Sequence, residues 1–278
     1  MNAVVRFETF TRLGFAARGV LYLLIAYLAI RAGRDAGSSD VLRSLADGPA
    51  RLLLGLIALG LLAYGAWRCL DAAEDLEGAG SGAKGAVSRL GHALSGGAHI
   101  LLGLLAAGLA IGLVGQGGGG EGADRAAGFA LDLPGGSLLL RLVAAAFVVG
   151  GFAQAWSAYK LEFLKQLDGR AAQRAWVKWS GRLGYAARGA VFVMIGLLLW
   201  RAASAQDPGA AGGVGEALGA FSGTVHVLVA AGLGLFGVFS LVQALYRRIT
   251  NPQVVQRLER SRGPARAPVT SPAARRRY

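Results

Sequence analysis

Cysteine occurs once, at Cys69, histidine three times, and acidic residues number 16 against 29 basic ones in a chain of 278 residues. One cysteine excludes an internal disulfide. Its place near the end of the second apolar run suits a small packing residue, with reversible acylation as the other use of a thiol there. His99 and His226 fall near opposite ends of the membrane thickness, and His92 and His99 share one run, so no pair can clamp a porphyrin from two sides. No cofactor and no metal site is expected. Acidic residues are missing from the confident interior of every apolar run, so a proton relay or cation-coupled carrier lacks its usual carboxylate. Serine, histidine and acidic residues nowhere gather along the chain at a spacing that suggests a hydrolytic site. The run GQGGGGEG at 115–122 has neither the lysine nor the strand-to-helix context of a phosphate loop, and it reads as a flexible outer loop. The expectation is therefore that the protein is not an enzyme.

What the chain does contain is apolar length. Hydrophobic residues make up 54% of it, charged residues 16%, and 44 residues are glycine. Six stretches approach the roughly 20 residues that cross a hydrocarbon core: 13–32, 51–70, 92–114, 138–158, 184–203 and 224–245. The expected fold class is an all-α membrane protein with six transmembrane helices. Arginine and lysine set orientation, because short basic loops stay cytoplasmic. On this threading 22 basic residues fall on the side of the termini and 7 on the other. Both termini are thus expected in the cytoplasm, with the chain in the plasma membrane. The first apolar run follows Arg6, Arg12 and Arg18 as a signal peptide would, but no small-x-small cleavage site follows it and Arg31 stands where one would be.

The sequence repeats itself. RLGFAARG at 12–19 returns as RLGHALSG at 89–96 and RLGYAARG at 182–189. The odd-numbered spans align at offsets of 77 and 93. The even-numbered spans align at 89 and 89, Ala66-Trp67 onto Ala155-Trp156 onto Ala244-Leu245, which also pairs Gln154 with Gln243 and Gly65. Three units of two spans result, at 10–76, 87–165 and 180–250, followed by a basic tail at 251–278 that is expected to be disordered. Short mixed segments, VLRSLA at 41, GFALDL at 128 and EALGAF at 216, precede the even spans and suggest a surface or partly re-entrant turn. All three units enter the membrane in one direction, so their symmetry axis is normal to the bilayer and inverted-repeat architecture is disfavoured. A pseudo-threefold bundle follows, its contacts made by small residues such as Gly108, Gly112, Gly150, Gly151, Gly232, Gly234 and Gly237.

Residues four apart share a helical face. The motif therefore lines up Gly14, Arg18 and Tyr22 in the first copy, Gly91, Ser95 and His99 in the second, and Gly184, Arg188 and Phe192 in the third. Two readings stand side by side. In one, Arg12, Arg18, Arg182 and Arg188 anchor the helix ends by reaching back to the phosphate level. In the other, Arg18 and Arg188 face inward and hold an anion such as a lipid head group, a phosphate or a carboxylate. The candidate anion or lipid site is accordingly Arg18, Arg188, Ser95, Arg12 and Arg182, and the intramembrane polar candidates are His99, Gln154 and Gln243. Glutamine inside a span has interhelical hydrogen bonding as its ordinary use.

Residues 159–182, which mix basic residues with Leu161, Phe163, Leu164, Leu167, Trp176 and Trp179, fit either an amphipathic segment on the inner leaflet or a connector whose aromatics mark the membrane boundary. Anionic lipid of the cytoplasmic leaflet is the expected partner of the tail, ahead of nucleic acid; a membrane-protein partner is the other expectation. The three motif copies and the closing ALYRRI at 244–249 resemble a family of bacterial membrane proteins known as domain of unknown function 1206, over about residues 10–250. Copy two departs from the motif, with Leu94 and Ser95 where Ala-Arg would stand. The resemblance implies a six-span protein of three tandem domains and brings no catalytic residues. Two functions are weighed: a non-enzymatic component that binds lipid or another membrane protein, and a channel or transporter with a path along the repeat axis.

Overall fold

The computed structural model describes residues 3–32, 38–46, 50–76, 78–80, 82–113 and 121–247. The tail at 251–278 and the glycine run up to Gly120 lie outside them. Ten α-helices are described: α1 (Ala3–Ala32), α2 (Ser38–Ser44), α3 (Ala50–Glu74), α4 (Ala83–Ala110), α5 (Glu121–Leu131), α6 (Gly136–Lys160), α7 (Gly169–Ala172), α8 (Ala175–Ala205), α9 (Val214–Gly219) and α10 (Gly223–Tyr246). No strand occurs among the described residues. Six of the helices, α1, α3, α4, α6, α8 and α10, are long and apolar enough to cross a bilayer, where a helix is the simplest way to satisfy every backbone group. The chain is a multi-pass membrane protein.

Helices α4 and α8 begin nine residues before the apolar windows that announced them, at Ala83 and Ala175. Lys84, Ser88 and Arg89, and likewise Lys178 and Arg182, lower the local hydropathy without interrupting the helix. The window marks the hydrocarbon crossing, and the helix runs past it. At its other end α4 stops in a Schellman motif: Gly112 takes φ 76°, its N–H donates to Leu109 O, and the N–H of Leu113 donates to Gly108 O at 2.8 Å. The positive φ is what requires glycine there.

The six long helices stand in cyclic order. The closest packing joins α3 to α4, α6 to α8 and α10 to α1, in each case the second span of one unit against the first span of the next. All three crossings are made the same way, by a reciprocal pair of glycines. A Cβ on Gly65 would stand 2.8 Å from Gly96 O, one on Gly151 2.7 Å from Gly189 O, and one on Gly237 2.8 Å from Gly19 O. Backbone thus lies on backbone three times around the bundle, the close approach that small residues permit in lipid. Within the first and third units α1 packs on α3 and α8 on α10, with Gly14 against Tyr64 and Gly184 against Phe236. Within the second unit, no comparable packing joins α4 to α6 among the described residues, and Gly91 faces open space. The result is a pseudo-threefold ring of six helices with one break.

These contacts correct the register expected for the even spans. Gly65, Gly151 and Gly237 are equivalent by their contacts, as are Gly60 with Gly232 and Tyr64 with Phe236, so the offset is 86 rather than 89. Trp67 is buried and Trp156 exposed, which also separates the two residues that suggested the longer offset. A slip of three residues keeps nearly the same helical face, so apolar pattern alone could not tell the two apart. Gln154 consequently matches Ser240, and Gln243 matches Ser157.

The short segments before the even spans are helices, α2, α5 and α9, and they close one end of the ring. Val41 and Leu42 of α2 and Ala217 and Leu218 of α9 are fully buried, and Ala127 of α5 nearly so. They join Leu21, Ile25, Leu54, Leu109, Leu140 and Leu199 in one apolar core. His226 braces this closed end, with Nδ1 2.9 Å from Leu218 O and Nε2 3.3 Å from Ala29 O. At the other end, which carries both chain termini, residues 159–182 fold into a connector. Phe163 and Leu167 turn into the protein against Val177, Phe239 and Val242, and Asp168 N–H donates to Tyr246 O. Tyr159, Trp176 and Trp179 are left exposed, which fits a connector whose aromatics mark the membrane boundary.

Candidate functional site

The polar side chains of the bundle gather at the open end. Arg18 sits a little less than two turns inside the first crossing and is 3% exposed. Its Nη1 donates to Tyr64 Oη at 2.5 Å, its Nη2 to Gln243 Oε1 at 2.6 Å and its Nε to Ser240 Oγ at 3.2 Å. Ser240 gives its own proton to Phe236 O at 2.8 Å, which leaves its lone pairs for the arginine. Helices α3 and α10 therefore hold Arg18 from two sides with neutral acceptors. The guanidinium lies within the bundle and does not reach back to the surface.

Arg188, from the third copy, approaches the same place from α8. Its Nε donates to Tyr22 Oη at 3.2 Å, and that is its one hydrogen bond among the described residues. Both arginines pack on the ring of Phe236, with Arg18 Cζ 4.9 Å and Arg188 Cζ 5.0 Å from its centre. The charges are no further apart than the sum of those distances. Neither arginine reaches a carboxylate among the described residues.

Aromatic rings carry the array onward. Phe15 has Arg18 and Arg247 each 4.6 Å from its centre, Trp67 has Arg247 at 4.9 Å and Arg68 at 5.0 Å, and Tyr64 has Arg68 at 5.8 Å and Arg18 at 4.8 Å. Cation and ring alternate around a closed circuit, each contact contributing about 0.5–2 kcal/mol in a desolvated setting. His99 of α4 joins by its ring, 4.6 Å from that of Tyr64, with Nδ1 on Ser95 O at 2.7 Å.

The candidates named from sequence divide accordingly. Arg18, Arg188, Gln243 and His99 come together. Ser95 is half-buried and contributes its carbonyl. Gln154 stands apart on α6, half-buried beside Gly189. Arg12 is exposed, and Arg182 caps a helix end, its Nη2 3.3 Å from Tyr159 O. Arg89 does the same for α3, on Ala72 O at 2.5 Å and Ala73 O at 2.7 Å. The two arginines of the motif thus have different duties: in copies two and three the first terminates the preceding span, where a cation complements the carbonyl end of the dipole, and in copies one and three the second enters the bundle. Cys69 packs where Gly96 approaches α3, the bland use expected of it.

Two features of this end were not legible along the chain. Helix α3 runs on to Glu74, past the apolar window 51–70, and Asp71 in that extension is 1% exposed. Nearby charge makes the burial tolerable: Arg68 Nη1 is 3.4 Å and His92 Nδ1 2.6 Å from Asp71 Oδ2. Serine, histidine and an acid come together in space though not along the chain, since Ser88 Oγ is 3.5 Å from His92 Nε2. Residues 71 and 92 are brought together by the Gly65/Gly96 crossing, which no spacing along the chain announces. Tyr64, Arg68, Arg247 and Ser240 were missed, while Tyr22 had been placed on the ridge of Arg18; a tyrosine or serine in an apolar run carries no mark of its partner.

Comparison with known proteins agrees with this architecture. The family described as Domain of Unknown Function (DUF1206) matches residues 13–75, 90–160 and 183–247, one match to each two-span unit. The Uncharacterized protein YxxB of Bacillus subtilis (strain 168) is 30% identical over 256 residues, covering 87% of this chain and 92% of that protein. No solved structure matches. With three matches spanning most of its length and a relative of nearly equal extent, this chain belongs to the Domain of Unknown Function (DUF1206) family.

Proposed function

We propose that the protein binds the phosphate or carboxylate of an anionic lipid head group between Arg18 and Arg188, at the end of the bundle that carries both termini, and that this end faces the cytoplasm in the plasma membrane. One observation carries the reading: two guanidinium groups share a ring inside the helix bundle while every acceptor they reach is neutral. Ionisable groups at membrane depth are costly and pair with a partner or face a cavity, and arginine presents a fork that fits phosphate and carboxylate oxygens. Arg188, half-buried with one bond made, has donors to offer. The excess of basic residues on this side of the chain supports the cytoplasmic orientation and brings anionic lipid to it.

A conducting path is the weaker reading. The closed end is filled by Val41, Leu42, Ala217 and Leu218 without exposure, which supports a bundle sealed by alanine, leucine and glycine. The test is mass spectrometry of lipid released from a mild-detergent extract. Wild type is expected to carry phosphatidylglycerol or cardiolipin, and Arg188→Gln about tenfold less, the loss of one charge-assisted contact of roughly 1.5–3 kcal/mol. Delipidated protein titrated with inorganic phosphate separates the sources: heat on phosphate addition with no lipid retained points to a soluble anion. Equal lipid in both forms and no heat with phosphate would sink the reading.

A further inference from the structure

We propose that Ser88 is a nucleophile that cleaves a carboxylic ester of an anionic amphiphile at the bilayer surface, with His92 as its base and Asp71 orienting the imidazole. The three groups stand in functional order. His92 Nδ1–H donates to Asp71 Oδ2 at 2.6 Å, which fixes the tautomer and leaves the lone pair on Nε2. That nitrogen faces Ser88 Oγ at 3.5 Å, the longer distance usual before substrate tightens such a site. The order acid, imidazole, hydroxyl is recognised by geometry and role rather than by sequence position. Ser88 and His92 are four residues apart on α4 and so share a face, while Asp71 comes from α3 and is 1% exposed, its Oδ2 also taking Arg68 Nη1 at 3.4 Å.

The surroundings indicate the substrate class. Ser88 lies in the second turn of α4, and Lys84, four residues earlier on the same face, is exposed. A cation one turn nearer the water than the nucleophile matches an amphiphile whose phosphate lies outside its ester carbonyl. In the reaction Ser88 Oγ bonds to the carbonyl carbon as its proton passes to His92 Nε2. The carbon–oxygen bond to the alcohol then breaks, and the alcohol departs with that proton. Water attacks the acyl-serine, gives a proton to His92, and releases the carboxylic acid, restoring the hydroxyl. Ester and water are consumed; alcohol and acid are produced.

This activity uses none of the groups of the lipid-binding proposal, and the two are separable. The full-length protein in phosphatidylglycerol nanodiscs is treated with a fluorophosphonate, and the modified peptide is located by mass spectrometry. Ser88 is expected to carry the label, with His92→Gln labelled about a hundredfold more slowly, the lower end of what a general base supplies. Ser204→Ala, an exposed serine at the opposite end of the bundle, should leave labelling of Ser88 at the wild-type rate. Release of fatty acid from vesicles of the same lipid should cease in Ser88→Ala. His92→Gln is checked by monodisperse elution, and Ser88→Ala removes only an oxygen. Labelling absent from Ser88, or equal in wild type and His92→Gln, overturns the proposal.

Discussion

Arg18 and Arg12 are six residues apart in one motif and have opposite fates. Arg12 is exposed, while Arg18 spends its donors on Tyr64, Ser240 and Gln243. Tyr64→Phe keeps the ring against both arginines and removes the oxygen that accepts from Arg18 and Arg68. It is expected to cost about 1–3 kcal/mol, read as a thermal midpoint in detergent several degrees below wild type. Arg12→Gln should move that midpoint by less than the equivalent of about 0.5 kcal/mol. The motif made Arg18 and Arg188 visible in the sequence because a charge in an apolar run has no bland neighbours. Their acceptors stayed hidden: Tyr64, Ser240 and Gln243 lie 46, 222 and 225 positions away, and only the glutamine looked out of place where it stood.

Helices were the most legible part of the chain, since length and apolar content suffice to find a span. Their pairing was legible in part. The repeated glycines of the motif announced close crossings, and Gly19, Gly96 and Gly189 do make them. The even helices were aligned with one another through an alanine-tryptophan match three residues out of step. Those crossings can be tested one at a time. Gly237→Leu would drive a side chain into the backbone of α1, and a cost of at least about 1–3 kcal/mol from overpacking is expected, measured as loss of folded protein on size exclusion and a lowered midpoint. Gly91→Leu, at the place that Gly14 and Gly184 hold in the other two copies but with nothing within 4 Å, should leave both measures unchanged. A large loss at Gly91 would show that α4 is packed on a face the ring leaves open.

Across the whole molecule, the connectors sort to two sides. In a Cys69→Ser background, single cysteines at Gly82 and Lys165 lie on the side of the termini, and those at Asp132 and Ser204 on the other; all four positions are exposed. A maleimide that cannot cross membranes is expected to label the second pair on intact cells and spare the first until the cells are opened. The reverse pattern would invert the protein and place the arginines at the outer leaflet. The architecture also has a mechanical side. Because α4 is held by α3 and α6 by α8, the middle unit is not one body: its first helix is a leaf hung on the unit before it and its second a leaf hung on the unit after. Parting these two leaves is the deformation that breaks none of the other five junctions of the ring.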